Sequence, residues 1–214
     1  MDHTPDIDAP ARGRYAPVTV KGSLPPAEML WRWTREEYDR LVGLGAFQAG
    51  ERLELIDGFL VLREPQGSRH ATGIRRVVAA LRRAVGPDWQ IDSQMPLALD
   101  DTSEPEPDVS VVAGDAGTYR DAHPSRPLLV VEVADSSYRI DHDFKTSLYA
   151  RAAVPECWIV DVRRSVVEVH RSPEQSQTAP YGWRYANVDT LQPPSTITPL
   201  LAPHATIAVA DLLP

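Results

Sequence analysis

Two continuous apolar runs do most to constrain the fold of this chain. PDVSVVA (107–113) and PLLVVEVA (127–134) show no alternation of apolar and polar residues. Such runs are typical of strands covered on both faces, so they predict the interior of a sheet with other elements packed on each side. Each run nevertheless contains one acid, Asp108 at the start of the first and Glu132 near the end of the second.

The two acids are predicted to face each other. If the runs pair as an antiparallel hairpin about a loop centred near residue 120, Asp108 lies opposite Glu132, with Cβ atoms about 4.5 to 5.5 Å apart. A β-bulge would change this register. Two buried carboxylates that close repel each other, so a divalent cation or a lysine is the usual partner. Carboxylate oxygens suit magnesium or manganese better than zinc, and Lys145 on the next predicted helix is near enough in the chain to contribute.

The segments before these runs predict a helix followed by a hairpin. Thr34 and Glu37 have capping-box spacing, which predicts a helix through about residue 44 with Tyr38 and Val42 on its inner face. ERLELIDGFLVLRE then predicts two strands that turn at Asp57-Gly58, because this dipeptide favours the positive φ angles of a tight hairpin turn.

The remaining segments complete an alternation of helices and strands. Apolar residues at helical spacing predict a helix between Ser68 and Gly86, and its opposite side carries arginines that fit either a phosphate backbone or ordinary solvent. Residues 140–152 predict another helix. Further strands are predicted for WQIDSQMPLAL, ECWIVDV, SVVEVHR, WRYANV and ATIAV. This order predicts an α/β fold, in the sense of an α+β mixed sheet with helices packed on it.

Composition limits the class of protein. With 214 residues, 43% hydrophobic and 24% charged, we expect one domain over residues 29–214, preceded by a proline-rich arm (1–28) with little regular structure. A net charge of -8 argues against coating nucleic acid through bulk charge, but not against a nuclease with an acidic metal site. No apolar run reaches membrane-spanning length, and no signal peptide is apparent, so we expect a cytoplasmic protein without membrane contact.

The acidic pattern also resembles a known family. Pro107-Asp108 followed by Glu132-Val133-Ala134 resembles the signature of the PD-(D/E)XK nuclease, or restriction-endonuclease-like, superfamily. It is most similar to the Uma-type (Uma-two) restriction endonuclease family. Ala134 stands where the superfamily has lysine, and the resemblance shifts that lysine to Lys145. The other matching segments are, in order, ELIDG at 54–58, His70, EPDVSVV, LLVVEVADSS, Asp141 with Lys145, LYARAAVPECWIVDV and GWRY.

This resemblance implies a metal-dependent endonuclease with a restriction-endonuclease-like core. Asp108 and Glu132 would hold Mg²⁺ or Mn²⁺, with Glu54 as a third ligand, and Lys145 would complete the catalytic set. The implied substrate is DNA, and a homodimer is expected by analogy. Two alternatives stay open: a catalytically inactive nuclease-fold module that binds nucleic acid or a protein partner, and a hydrolase of another phosphoester.

Several residues also have simpler interpretations. Lys145 is spaced to form a helical ion pair with Asp141, and Glu51 competes with Glu54 as a possible ligand. His70 is expected to face solvent or substrate at the start of a helix. The single cysteine, Cys157, is expected to be buried and structural rather than a nucleophile activated by a histidine.

Overall fold

The computed structural model describes residues 29–47, 51–63, 67–115, 117–135 and 138–214. The chain divides into Met1–Trp31, of which only residues 29–31 are described, and Arg32–Pro214, which carries every element below. The predicted N-terminal arm therefore lies outside the described residues. Within them, no helix combines the length and the apolar character needed to cross a membrane.

Helices and strands alternate much as predicted. The helices are α1 (Arg35–Gly43), α2 (Ser68–Val85), a π-helix (Ile140–Lys145), α3 (Thr146–Arg151) and α4 (Val209–Leu212). The strands are β1 (Leu53–Ile56), β2 (Phe59–Leu62), β3 (Trp89–Asp92), β4 (Val109–Ala113), β5 (Leu129–Ala134), β6 (Glu156–Asp161), β7 (Val166–Gln175), β8 (Trp183–Leu191), β9 (Thr196–Ile197) and β10 (Ile207–Ala208).

A six-stranded mixed sheet forms the centre of the fold, in the order β3-β4-β5-β6-β7-β8. Its neighbouring strands are antiparallel except for β5 and β6, which run parallel because the π-helix and α3 connect them. The predicted α+β mixed sheet is confirmed. β1 pairs with β2, and β9 with β10, in separate two-stranded sheets.

Both local signals near the N-terminal end of the fold are confirmed. Thr34 and Glu37 form the predicted capping box at α1. Asp57 and Gly58 turn the β1–β2 hairpin with φ angles of 48° and 83°. One detail was wrong: Val42, predicted to face inward, is 51% exposed, because this short helix buries little beyond Tyr38.

The sheet is covered on both faces, as its apolar strands predicted. One face packs against α2 and α4 through a cluster that includes Leu81, Val131 and Leu212. The other packs against α3 through a cluster that includes Val130 and Tyr149. Since side chains alternate along a strand, Glu132 lies on the α3 face with Val130, while Val131 lies on the α2 face.

The predicted helix over 140–152 begins as a π-helix. The amide of Thr146 donates to the carbonyl of Asp141, five residues earlier. Single π turns occur mostly as interruptions of α-helices, frequently at functional sites. This turn contains two buried charged residues, Asp141 and Lys145.

Candidate active site

The predicted opposition of the two acids agrees with the observed register. Val109 pairs with Val131, and Ser110 with Val130, so Asp108 and Glu132 occupy the next step of the same antiparallel register. The Asp108 amide donates to Glu132 Oε2 at 3.2 Å, and the Val133 amide donates to Asp108 Oδ2 at 2.8 Å. Each carboxylate thus reaches the backbone of the other strand.

Lys145 joins this pair from the π-helix. Its Nζ lies 3.0 Å from Glu54 Oε1 and 3.2 Å from Glu132 Oε1. Burial lowers the pKa of Lys145, but the negative charges of Glu132 and Glu54 outweigh burial and raise it overall, so the ammonium stays protonated. The structure therefore brings together all four residues predicted for the site.

Glu132 has partners at both of its carboxylate oxygens. The Tyr149 hydroxyl donates to its Oε1 at 2.6 Å, so this oxygen interacts with both tyrosine and lysine. Burial raises the pKa of Glu132, Lys145 opposes this shift, and the charges of Asp141 and other nearby acids reinforce it. Added positive charge at this point would therefore stabilise the ionised carboxylate.

Asp108 is oriented by side chains from three other segments. His70 Nε2, in the first turn of α2, lies 2.9 Å from Asp108 Oδ2. Gln94 Nε2 lies 3.4 Å and an Arg63 nitrogen 3.5 Å from Asp108 Oδ1. Burial raises the pKa of Asp108, but the hydrogen bond and charge of His70 outweigh it, and the net shift is downward.

His70 shows the reciprocal effect, and its role goes beyond the sequence prediction. Burial lowers the pKa of His70, while its hydrogen bond to Asp108 and the charge of that acid raise it overall. We expected this histidine to face solvent or substrate, but its ring is turned towards the acid. Arg63 and Tyr149 were missed altogether, because neither belongs to a spacing pattern that includes Asp108 or Glu132.

Glu54 reaches the cluster because β1 lies beside the segment that leads into β4. Leu55 pairs with Glu104 in an isolated bridge, which aligns β1 with residues 104–108. Glu54 Oε2 accepts a hydrogen bond from the Glu106 amide at 2.9 Å, and its Oε1 faces Lys145. Both oxygens of Glu54 therefore have partners within the protein.

The donor set fits a hard divalent cation. Four buried acids, Glu54, Asp108, Glu132 and Asp141, surround one buried lysine, and carboxylate oxygens are the ligands that magnesium and manganese prefer. Asp108 and Glu132 each contact the backbone of the other strand, whereas the oxygens of Glu54 face Lys145 and the Glu106 amide. The fit is therefore best for a cation held chiefly by Asp108 and Glu132, whose carboxylates reach across the same pair of strands.

Cys157 does not take part in this site. It is fully buried on β6, directly opposite His170 on β7. Burial raises the pKa of its thiol well above the ordinary value, and the nearby acids add to this shift. A thiol held protonated is a poor nucleophile, in agreement with the structural role predicted for it.

Comparison with known proteins assigns the family. The family model Uma2, described as "Putative restriction endonuclease", matches residues 35–210. The chain belongs to the Uma2 family. The matched region includes every residue of the acidic cluster, so the resemblance noted from the sequence is confirmed.

A solved structure shares the fold of this Uma2 protein. It is a crystal structure of a "putative nuclease belonging to DUF820" from Anabaena variabilis, with a TM-score of 0.63 and 16% sequence identity. The match covers 84% of this chain and 97% of that one. At this identity the likeness concerns the fold, and it agrees with the predicted restriction-endonuclease-like core. No curated protein matches the chain.

Proposed function

We propose that this Uma2-family protein is a metal-dependent endonuclease that hydrolyses phosphodiester bonds of DNA. The observation that carries the proposal is the convergence of buried Asp108 and Glu132 on one face of the sheet, with Lys145 beside them. Burying several carboxylates costs several kcal/mol of folding free energy unless positive charge or hydrogen bonds offset it. A buried acidic cluster of this kind is typical of a site that binds a cation. Family membership supports the same class of activity.

In this proposal, Asp108 and Glu132 hold Mg²⁺ or Mn²⁺, and Glu54 completes the acidic set. A bound cation of this kind polarises the scissile phosphate and lowers the pKa of a coordinated water. Because the oxygens of Glu54 already face Lys145 and the Glu106 amide, its most direct effect is to position the lysine.

The other residues orient the reacting groups. Lys145 stays protonated, so its ammonium can orient the attacking water or offset negative charge that develops on the phosphate. Tyr149 fixes Glu132, and His70 with Gln94 fixes Asp108. These hydrogen bonds keep the two acids in place before substrate arrives.

Lys145 can compensate for the missing lysine of the superfamily signature. Ala134 lies on the same face of β5 as Glu132, but it is fully buried in the apolar cluster under α3. A charged side chain there would have to displace that packing. The π-helix instead delivers an ammonium to within 3.2 Å of Glu132.

The first test is cleavage of supercoiled plasmid by the purified protein with Mg²⁺ or Mn²⁺. We expect nicking or linearisation that EDTA abolishes. Asp108→Asn and Lys145→Gln should each slow cleavage by about 100-fold or more, because each removes charge from the reacting centre. Asp211→Asn is the matched control, since Asp211 is an exposed acid that pairs with Arg83 at 3.7 Å, and it should cleave at the wild-type rate.

The other outcomes separate the alternatives. Cleavage that survives in folded Asp108→Asn and Lys145→Gln proteins would contradict the proposed site. Metal binding without cleavage of DNA or of a model phosphodiester would favour an inactive nuclease-fold module that binds nucleic acid or a protein partner. Cleavage of the model diester alone would favour another phosphoester substrate. The homodimer stays a prediction, to be checked by sedimentation.

A further inference from the structure

A second group of possible metal ligands lies on the α3 face of the sheet and shares no residue with the acidic cluster. It consists of His142 from the π-helix and of Glu168 and His170 from β7. Glu168 and His170 are two residues apart on one strand, so both side chains point to the same face. Each of the three offers one ligand atom, and these atoms all lie within 4.8 Å of one another.

Two of the three separations between these atoms match the edge of a coordination tetrahedron. Glu168 Oε2 lies 3.4 Å from His142 Nε2 and 3.3 Å from His170 Nε2. Nitrogen and oxygen ligands bound tetrahedrally to zinc at about 2.0 to 2.1 Å are themselves about 3.3 Å apart. Both pairs therefore already have the separation that zinc requires.

The surrounding hydrogen bonds orient the ligands. His142 Nδ1 lies 2.8 Å from Asp143 Oδ1. With the proton on Nδ1, Nε2 is free as a lone-pair donor, and carboxylates that accept a hydrogen bond from the other ring nitrogen orient zinc-binding histidines in this way. The Tyr138 hydroxyl donates to Glu168 Oε1 at 2.8 Å, which leaves Oε2 facing the two imidazoles.

The carboxylate of this group has polar partners at both oxygens. His170 Nε2 lies 3.3 Å from Oε2, and the Tyr138 hydroxyl donates to Oε1. Arg164 also lies 3.3 Å from Oε1. One carboxylate and two imidazoles give a ligand set of charge minus one, for which a divalent cation is a suitable partner.

Access for an ion comes from one side. Glu168 and His170 are each 4% exposed, whereas the His142 side chain is 36% exposed. A cavity of about 440 Å³ is lined by both histidines together with Trp183 and Tyr185. The cavity leaves room for a water molecule or a small ligand at a fourth coordination position.

We propose that His142, Glu168 and His170 form a zinc site distinct from the acidic cluster. Imidazole nitrogens suit zinc, whereas the all-carboxylate cluster suits magnesium or manganese, so the two sites would select different metals. The ion would link β7 to the π-helix that carries Lys145. Zinc at this position therefore fixes the helix from which the lysine reaches Glu132. This proposal holds whether or not the protein is a nuclease.

The proposal is tested by calorimetric titration of the chelator-treated full-length protein with ZnCl₂. We expect one tight equivalent, and Co²⁺ at the same site should give the visible absorption of tetrahedral coordination. His170→Gln and His142→Gln each remove one ligand. Each should weaken Zn²⁺ binding by more than the roughly 10- to 100-fold that is lost when a residue hydrogen-bonded to a zinc ligand is removed.

Two control variants locate the bound ion. His204→Gln alters an exposed histidine elsewhere in the chain, and Asp108→Asn alters the acidic cluster; both should keep wild-type Zn²⁺ affinity. Because His142 is partly exposed, its variant tests the site even if His170→Gln fails to fold. The proposal is overturned if the wild type binds no Zn²⁺, if His142→Gln binds it unchanged, or if only Asp108→Asn loses it.

Discussion

Glu132 shows at the scale of single residues how the acidic cluster is held together. Its Oε1 faces both the Lys145 ammonium and the Tyr149 hydroxyl, and its Oε2 accepts from the Asp108 amide. A fully buried carboxylate without such partners would cost several kcal/mol. The hydrogen bonds therefore allow the acid to remain in the interior of the sheet.

Tyr149→Phe should weaken this arrangement without changing its shape. Burial raises the pKa of Tyr149 well above its ordinary value, so the hydroxyl is always a donor. Its loss leaves a fully buried oxygen of Glu132 with one hydrogen-bond partner fewer, and should lower the free energy of unfolding by about 1 to 3 kcal/mol. Urea denaturation at pH 7 measures this change.

Tyr119→Phe is the matched control for that prediction. The Tyr119 hydroxyl donates to the Ala113 carbonyl at 2.7 Å, in an exposed position with an uncharged acceptor. Its loss should cost about 1 kcal/mol or less. Equal losses from the two variants would contradict a special role for the Tyr149 hydroxyl at Glu132.

At the scale of whole elements, α2 packs closely against β5 in the apolar cluster on one face of the sheet. Gly73, in the middle of α2, lies against Val133, and a Cβ at this glycine would lie 2.7 Å from Val133 Cγ1. Val133 is fully buried, and its branched side chain has little freedom to turn away. The helix can approach this closely only because position 73 has no side chain.

Gly73→Ala should therefore destabilise the protein even though alanine favours helix. The gain in helix propensity is about 1 kcal/mol, whereas overpacking a core costs typically 1 to 3 kcal/mol. We expect a net loss of up to roughly 2 kcal/mol in the free energy of unfolding. Chemical denaturation, with the slope compared between variants, measures it.

Gly43→Ala provides the control at the end of α1. No heavy atom lies within 4 Å of a Cβ built there, so only the helix preference should act. This variant should be neutral or more stable by up to about 1 kcal/mol. If Gly73→Ala stabilises the protein as Gly43→Ala does, a side chain at position 73 is accommodated beside Val133 without the expected overpacking cost.

At the scale of the whole molecule, buried acids make the stability of the protein depend on pH. Glu104 is 4% exposed, and its Oε2 has no hydrogen-bond partner among the described residues. Burial raises the pKa of Glu104 to about 7, and the charge of Asp39 adds to this while Arg35 opposes it. The folded protein therefore keeps a proton that the unfolded chain, with a pKa near 4.5, releases.

The sign of the pH dependence follows from this proton. The folded state binds more protons than the unfolded state between about pH 4.5 and 7. The proton on Glu104 therefore stabilises the folded protein fully below pH 4.5, and this stabilisation is lost as the pH rises through 7. Glu104→Gln should remove this pH dependence, and it should raise the free energy of unfolding at pH 8 by roughly 1 to 3 kcal/mol because no charge is then buried at this position. Urea denaturation at several pH values between 5 and 8 tests it.

Glu36→Gln serves as the comparison for the pH series. The side chain of Glu36 is 85% exposed and pairs with Arg40 on the surface of α1, so this variant should keep the pH dependence of the wild type. If Glu104→Gln also keeps it, Glu104 does not retain its proton in the folded state.

The sequence by itself determined most of the helices and strands and one pair of site residues, Asp108 and Glu132. Capping at Thr34, the turn at Asp57-Gly58 and the apolar periods depend on neighbours in the chain, so local patterns were sufficient to predict them. The opposition of Asp108 and Glu132 follows from a strand register fixed by a hairpin. Glu54 required the family pattern, because it is far from this hairpin in the chain, whereas Lys145 follows Glu132 closely enough to be proposed from the sequence as well.

Only the tertiary structure decided which other side chains meet these acids. His70, Arg63 and Tyr149 come from three elements whose contacts depend on how helices and the β1–β2 hairpin pack on the sheet. The π turn and the His142, Glu168 and His170 group have the same origin. The periodicity of apolar residues in the sequence predicts the type of an element and the face on which a residue lies. Which side chains of different elements come into contact depends instead on how the whole core packs.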